Sequence, residues 1–348
     1  MPSTRAKSLA EAFQLFAEKQ AKLSSPLYLR LAAVAEADPT LLRLAAQAPA
    51  GQPRPVLFFA AIHYLLAGGA VHPLARHYPD LDAGPPDGND PAADLKDFCL
   101  THIDEIALLL RSRRVQTNEV RRCGTLMPAL EVARRQAGGA PLAVVDVGCS
   151  AGLNLLYDRF HYDYGNGNAA GDPAAPVKIS TELRGDLVPP LPEVIPPPVA
   201  RIGLDIHPID INDDDAVTWL RALIWPEHAD RRDRLMHAVA EARVHPLDLR
   251  AGDALELLPA LPAELPADAT LCITHSHALN QFSPEMKARF DEILAAIGRD
   301  RPVYRVGREW DEQTVAVDLE VHDGGRVERR RLATSEGHGR WMEWLDRP

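Results

Sequence analysis

"VVDVGCSAGLNLL", residues 144–156, is an apolar run that breaks into small residues and then resumes. Two readings compete for it. Gly148-Cys149-Ser150-Ala151-Gly152 fits the G-x-S-x-G pattern of a nucleophile elbow, in which Ser150 would attack a carbonyl. Asp146-x-Gly148-x-x-x-Gly152-x-Asn154 fits a glycine loop that cradles a nucleotide-like cofactor at the end of a strand. The stretch alone does not decide between them, but its surroundings do.

An elbow serine lies well into its sheet, after several strands and an oxyanion-hole loop. Nothing before residue 140 reads as a strand. Leu9, Phe13 and Phe16 recur at helical spacing, as do Leu95, Phe98, Cys99, Ile103, Ile106, Leu109 and Leu110. Asp90 and Pro91 suit the cap and first position of the second of these helices. "SSPLYLRLAAVAEADPTLLRLAAQAP" (24–49) is again helical, and 78–91 is rich in turn residues. Residues 1–138 therefore read as a helical N-terminal cap or lid domain, with "QAGGAP" (136–141) as the hinge.

Beyond the hinge, short β-branched runs alternate with helical ones, the mark of a mainly parallel sheet. The expected strands are 142–147, 200–205, 244–252, 269–275 and 302–307, followed by a hairpin at 314–333 that turns at Gly324-Gly325. This order predicts an α/β, Rossmann-like class I methyltransferase sheet with an antiparallel last strand, over residues 139–348. The 59 positions from Asp146 to Asp205 exceed what one helix needs. They imply an insertion at about 163–199, with an extra strand in "VKISTEL" (177–183) and a stiff proline segment. A nicotinamide fingerprint is not met, because position 150 is Ser and no strand-ending acid follows about 20 residues on.

Read as a loop for S-adenosylmethionine (SAM), the stretch assigns several residues. Gly148, Ser150, Gly152 and Asn154 would form the cradle, and a helix starting near Gly152 would aim its N–H groups at the methionine carboxylate. Asp146 would lie near the methionine amine. Asp205, in "GLDIHP", would hold the ribose hydroxyls, with Glu182 as the runner-up. Asp253 and Ala254, in "AGDALELLP", would meet the adenine. Ligands of such sheets sit at the carboxyl ends of the strands, where these acids fall. In "THSHALNQF" (274–282), His275 and His277 are the candidate bases and Asn280 a substrate-orienting group; a packed histidine and a turn-capping Asn280 are the plainer reading. Gln116, Asn118, Glu119 and Arg122 are candidates for a lid or acceptor pocket, against the alternative of a solvated helix face. No metal site is expected.

The fragments "SSPLY", "HYLL", "RVQTNEVRRC", "GCSAGLNLLYDRFHYDYG", "ELRG", "RIGLDIHPID" and "WLRALIWPEH" together resemble a bacterial family of uncharacterised proteins, a domain of unknown function. The resemblance spans nearly the whole chain and implies a methyltransferase-like fold without naming a reaction. The net charge of −11 argues against nucleic acid as partner. The longest apolar stretch, 56–70, contains His63 and ends in glycines, too short for a membrane span. No apolar leader precedes a cleavage site, and the four cysteines are widely spaced, which suits free thiols in a cytoplasmic protein. The expected activity is SAM-dependent methyl transfer to a small molecule. The alternatives are a serine hydrolase, with Ser150, Asp253 and His275 filling a triad, and a non-catalytic SAM or nucleotide binder.

Overall fold

A computed structural model describes residues 8–84 and 90–347; the first seven residues and the middle of the turn-rich stretch at 78–91 lie outside the described residues. The protein is α/β, with a large, mostly parallel sheet and many helices. By packing, the chain divides into two compact units, 1–117 with 213–233, and 118–212 with 234–348.

In the first unit every described element is a helix. Its core gathers Phe13, Phe16, Tyr28, Phe58 and Phe59, joined by Trp219 and Leu223 from the returning segment. "SSPLY" begins one of these helices: Ser25 caps Pro26–Ala37, and Glu227 accepts from Ser25 Oγ at 2.7 Å and from the Leu27 N–H at 2.9 Å. The helical pattern around His102 is two helices, Pro91–Thr101 and Ile103–Ser112, which meet at that residue.

Among the described residues the second unit carries twelve strands: β1 (Leu142–Val147), β2 (His161–Asp163), β3 (Ala169–Ala170), β4 (Lys178–Ser180), β5 (Glu182–Arg184), β6 (Ala200–Asp205), β7 (Asp248–Ala251), β8 (Thr270–Ser276), β9 (Val303–Asp311), β10 (Thr314–Asp323), β11 (Arg326–Ser335) and β12 (Trp341–Trp344). Nine form one sheet in the order β5-β12-β11-β10-β9-β8-β1-β6-β7, and β3-β2-β4 form a small second sheet. β1 is buried along its whole length, as a mainly apolar central parallel strand should be, and Asp146 is buried with it. It pairs in parallel with β6 on one side and β8 on the other, so the strand order reverses at β1. β9, β10 and β11 continue as an antiparallel meander, whose last turn places Gly324 and Gly325 at φ of +54° and +82°.

Three details depart from expectation. "VKISTEL" is two strands in two sheets: β4 joins the small sheet and β5 the edge of the large one. Thr181 stands between them, its Oγ1 donating to Gly339 O at 3.0 Å. Second, the packing boundary falls near 117 and not at 138. The helix Cys123–Gln136 lies against β8–β11 and is buried from Cys123 to Glu131, so its apolar face belongs to the sheet. Third, the turn after Gly152 is a 3-10 segment, Leu153–Arg159, kinked at Leu156. The chain leaves it at once for β2, so the glycine loop is not followed by an α-helix.

Both edges of the large sheet are short and charged. β5 carries a Glu182–Arg184 ion pair at 3.1 Å and β7 an Asp248–Arg250 pair at 2.7 Å.

Candidate functional site

The glycine loop leaves β1 with three left-handed residues, Gly148 at φ +74°, Ser150 at +56° and Gly152 at +70°. A Cβ on Gly148 would lie 2.6 Å from Ala278 Cβ, so only glycine lets the loop after β8 come this close. Ser150 pays no such steric contact but does hold a conformation that costs a non-glycine residue roughly 1–2 kcal/mol. Its backbone is held in place: the Ser150 N–H donates to Asp205 Oδ2 at 2.9 Å, and its carbonyl accepts from the Ile209 N–H at 3.0 Å. Asp205, the last residue of β6, takes a second amide, that of His207, at 2.9 Å. A carboxylate has about four acceptor positions, so two remain for a ligand. Ser150 Oγ is buried and has no hydrogen-bond partner, least of all an imidazole. Asn154 accepts a weak bond from Cys123 Sγ at 3.5 Å.

The other two acids lie on the same sheet edge. Asp146 is opposite Gly203 of β6 and Thr274 of β8, and Thr274 Oγ1 donates to its carboxylate at 2.7 Å. Burial pushes the Asp146 carboxyl up to about 7, with Asp205 adding to the rise and Thr274 and Arg122 opposing it. Asp253 follows β7, next to the Gly252 N–H that donates to Asp205 O at 2.9 Å. It caps the short helix Ala254–Leu257 through the Leu255 N–H, and Ala254 is buried behind it. Beside the loop opens a cleft of about 300 Å³, lined by Ala151, Pro208, Ile209, Ile211, Leu247 and Leu249 among others. Glu182 is on β5, at the other end of the sheet from β6 and β7, and is no longer a candidate for the same ligand.

The segment 118–122 reaches this edge too. Asn118 Oδ1 accepts the Leu153 N–H at 3.2 Å, so that amide braces the loop and does not face a ligand. Glu119 caps the turn Val120–Arg122 and lies 3.4 Å from His338. Arg122 donates to Ser276 O at 3.3 Å. Gln116 belongs to the first compact unit.

The two histidines differ. His275 is buried between Arg305, whose Nε–H donates to Nε2 at 3.0 Å, and Glu309, 2.7 Å from Nδ1. Arginine has only donors, so Nε2 is the acceptor and Nδ1–H points at Glu309. Both ring nitrogens are engaged, which removes His275 as a base. Glu309 also accepts the N–H groups of Ala278, Leu279 and Asn280, fixing the loop after β8. Asn280 is exposed and enters this contact through its backbone. His277 has a left-handed backbone, φ +58°, and tilts over Trp310. Burial, then the charges of Arg122 and Arg308, pull its imidazole down to about 3. Arg308 is fully buried and donates to Thr125 Oγ1, His277 Nε2, Ser335 Oγ and the carbonyls of Glu336 and Gly337. On the sheet face, Glu320 is buried among His322 at 2.6 Å, Arg305 at 3.3 Å and Arg329. Burial alone would raise its carboxyl, but these three hold it at about 2.

Over residues 10–344 the chain matches the family described as "Uncharacterized protein conserved in bacteria (DUF2332)". The chain belongs to this family. No curated protein is significantly similar to it. The DUF2332 match takes in the glycine loop, the three acids and both histidines, but its description carries no reaction, so chemistry must be argued from geometry.

Four residues of this DUF2332 member escape a reading of strand ends: Thr274, Arg305, Arg308 and Glu309. The signal for the last three was in "PVYRVGREW", where two arginines and a glutamate interrupt a strand that lies inside the sheet. Charged groups at such positions need partners, and here the partners are the two histidines.

Proposed function

We propose that this protein binds SAM at the carboxyl edge of β1, β6 and β7 and directs its methyl group to a small-molecule acceptor, within a class I methyltransferase-like sheet. The observation that carries the reading is convergence: Asp146, Asp205 and Asp253 sit at the ends of three adjacent parallel strands, around a loop with three left-handed residues. Asp205 has free lone pairs for ribose hydroxyls. The cleft beside Ala151 and Ile209 is mainly apolar, with Asp210, Asn212 and Arg243 as its polar members, and suits a flat base. Asp146 lies within the electrostatic reach of Arg122, so the zwitterionic end of the ligand would meet an anion and a cation together. Bound SAM would supply an electrophilic methyl group; the chain's part is to orient the acceptor in line with it and exclude water. A serine hydrolase is disfavoured because Ser150 Oγ has no base beside it.

Calorimetry with SAM and S-adenosylhomocysteine tests this. Wild type should bind both, and Asp205→Ala, with its fold checked by circular dichroism, should bind at least tenfold more weakly, the equivalent of one lost charge-assisted hydrogen bond. Absence of binding by wild type overturns the reading.

A further inference from the structure

His275 and His277 stand two residues apart and are treated alike by β9. Each Nε2 is held by an arginine: Arg305 at 3.0 Å for His275, Arg308 at 2.7 Å for His277. A guanidinium only donates, so each Nε2 accepts and each proton sits on Nδ1; Gly337 O, 3.3 Å from His277 Nε2, takes its hydrogen bond from Arg308 Nη1 at 3.1 Å. Arg308 cannot be reoriented cheaply, since all its N–H groups are spent on five acceptors and it has no exposed surface. Beyond this point the two rings diverge. The Nδ1–H of His275 is answered by the Glu309 carboxylate at 2.7 Å. Nδ1 of His277 is buried and unpartnered, as is the neighbouring Ser276 Oγ. An unanswered buried donor is destabilising, and such groups in native proteins call for an explanation. His277 also holds a left-handed backbone, a strain found where structure serves a site.

We propose that His277 is a fixed-tautomer donor whose Nδ1–H receives a ligand carboxylate, as His275 receives that of Glu309, with Arg308 as the positioning residue. Arg122 and Arg308 are the charges acting most strongly on the ring, and both favour an anion there. His277 is accordingly no general base: one nitrogen is covered by Arg308 and the other already bears the proton. Whether the carboxylate is the amino-acid end of SAM or part of the acceptor rests on the methyl-transfer reading; the tautomer and the carboxylate affinity do not.

The test is ¹⁵N-histidine NMR on the full chain, with His277 assigned by its loss in His277→Gln. The expected spectrum shows the Nδ1–H tautomer, unchanged from pH 5 to 9. Titrating acetate should shift that proton saturably, and sodium chloride should not. His277→Asn keeps an amide donor near the Nδ1 position and suits the left-handed backbone, so it should bind acetate within about threefold of wild type. His277→Gln should weaken it by about tenfold or more. If S-adenosylhomocysteine displaces acetate and 5′-methylthioadenosine does not, the carboxylate is the cofactor's; if acetate binds alongside S-adenosylhomocysteine, it is the acceptor's. An Nε2–H tautomer, a ring that titrates near 6.5, or a signal indifferent to acetate overturns the proposal.

Discussion

Replacing Asp146 by asparagine should stabilise the protein, and by more at alkaline than at acid pH. The carboxyl is almost wholly buried, and burial lifts it from an ordinary value of 3.8 to about 7. The folded state therefore keeps a proton that the unfolded state has released, and stability falls as pH rises from about 4 to about 7. At about 1.4 kcal/mol per pH unit, the cost reaches roughly 2 kcal/mol at pH 5 and roughly 4 kcal/mol at pH 8. Asparagine escapes that cost and its Oδ1 can still accept from Thr274 Oγ1, which donates at 2.7 Å. Urea denaturation of both proteins at pH 5 and pH 8 reads the difference directly. Asp146→Asn should gain roughly 2–3 kcal/mol more at pH 8 than at pH 5, and, on the proposed pairing of this carboxylate with the ligand amine, should weaken SAM binding. A variant that is less stable than wild type at pH 8, or a gain independent of pH, would refute the argument that burial dominates at this position.

Two further substitutions probe the surroundings. Gly148→Ala places a methyl 2.6 Å from Ala278 Cβ at φ +74°; it should cost about 2–4 kcal/mol from strain and overpacking together. Ala278→Gly in the same chain should recover the overpacking part and leave the backbone strain, as measured by urea midpoints. Glu320→Gln removes a carboxylate held at about 2, below an ordinary 4.5, by His322, Arg305 and Arg329. That stability is present above pH 4.5 and is lost as pH falls through 2, so the variant should be about 3 kcal/mol weaker at pH 7. Its deficit should shrink at pH 3; a constant deficit would point to packing instead.

The strand pattern was legible where local chemistry and burial agree. β1 and β6 coincide with the runs "LAVVDV" and "ARIGLD", whose apolar residues fill buried positions of two adjacent inner strands. The Gly324-Gly325 turn was equally plain. "VKISTEL" was not, since a one-residue break between two sheets leaves no mark in hydropathy. The helix expected after Gly152 is instead a 3-10 segment that kinks at Leu156 and gives way to β2 at His161, a local break that the apolar spacing does not mark. The convergence of Asp146, Asp205 and Asp253 followed from strand ends alone. What His275 and His277 do could not be read the same way: their roles are set by Arg305 and Arg308, which reach them across the sheet.

The charge pairs at the two margins of the large sheet bear on how copies of the chain meet. Each margin is a strand of only three or four residues, and each bears a carboxylate and a guanidinium two positions apart. A second molecule docking there would have to strip water from both charges for a handful of main-chain bonds. Crowded molecules therefore gain little by stitching their sheets into a continuous ribbon, and a nine-stranded platform this broad stays safe against fibre-like growth at both ends.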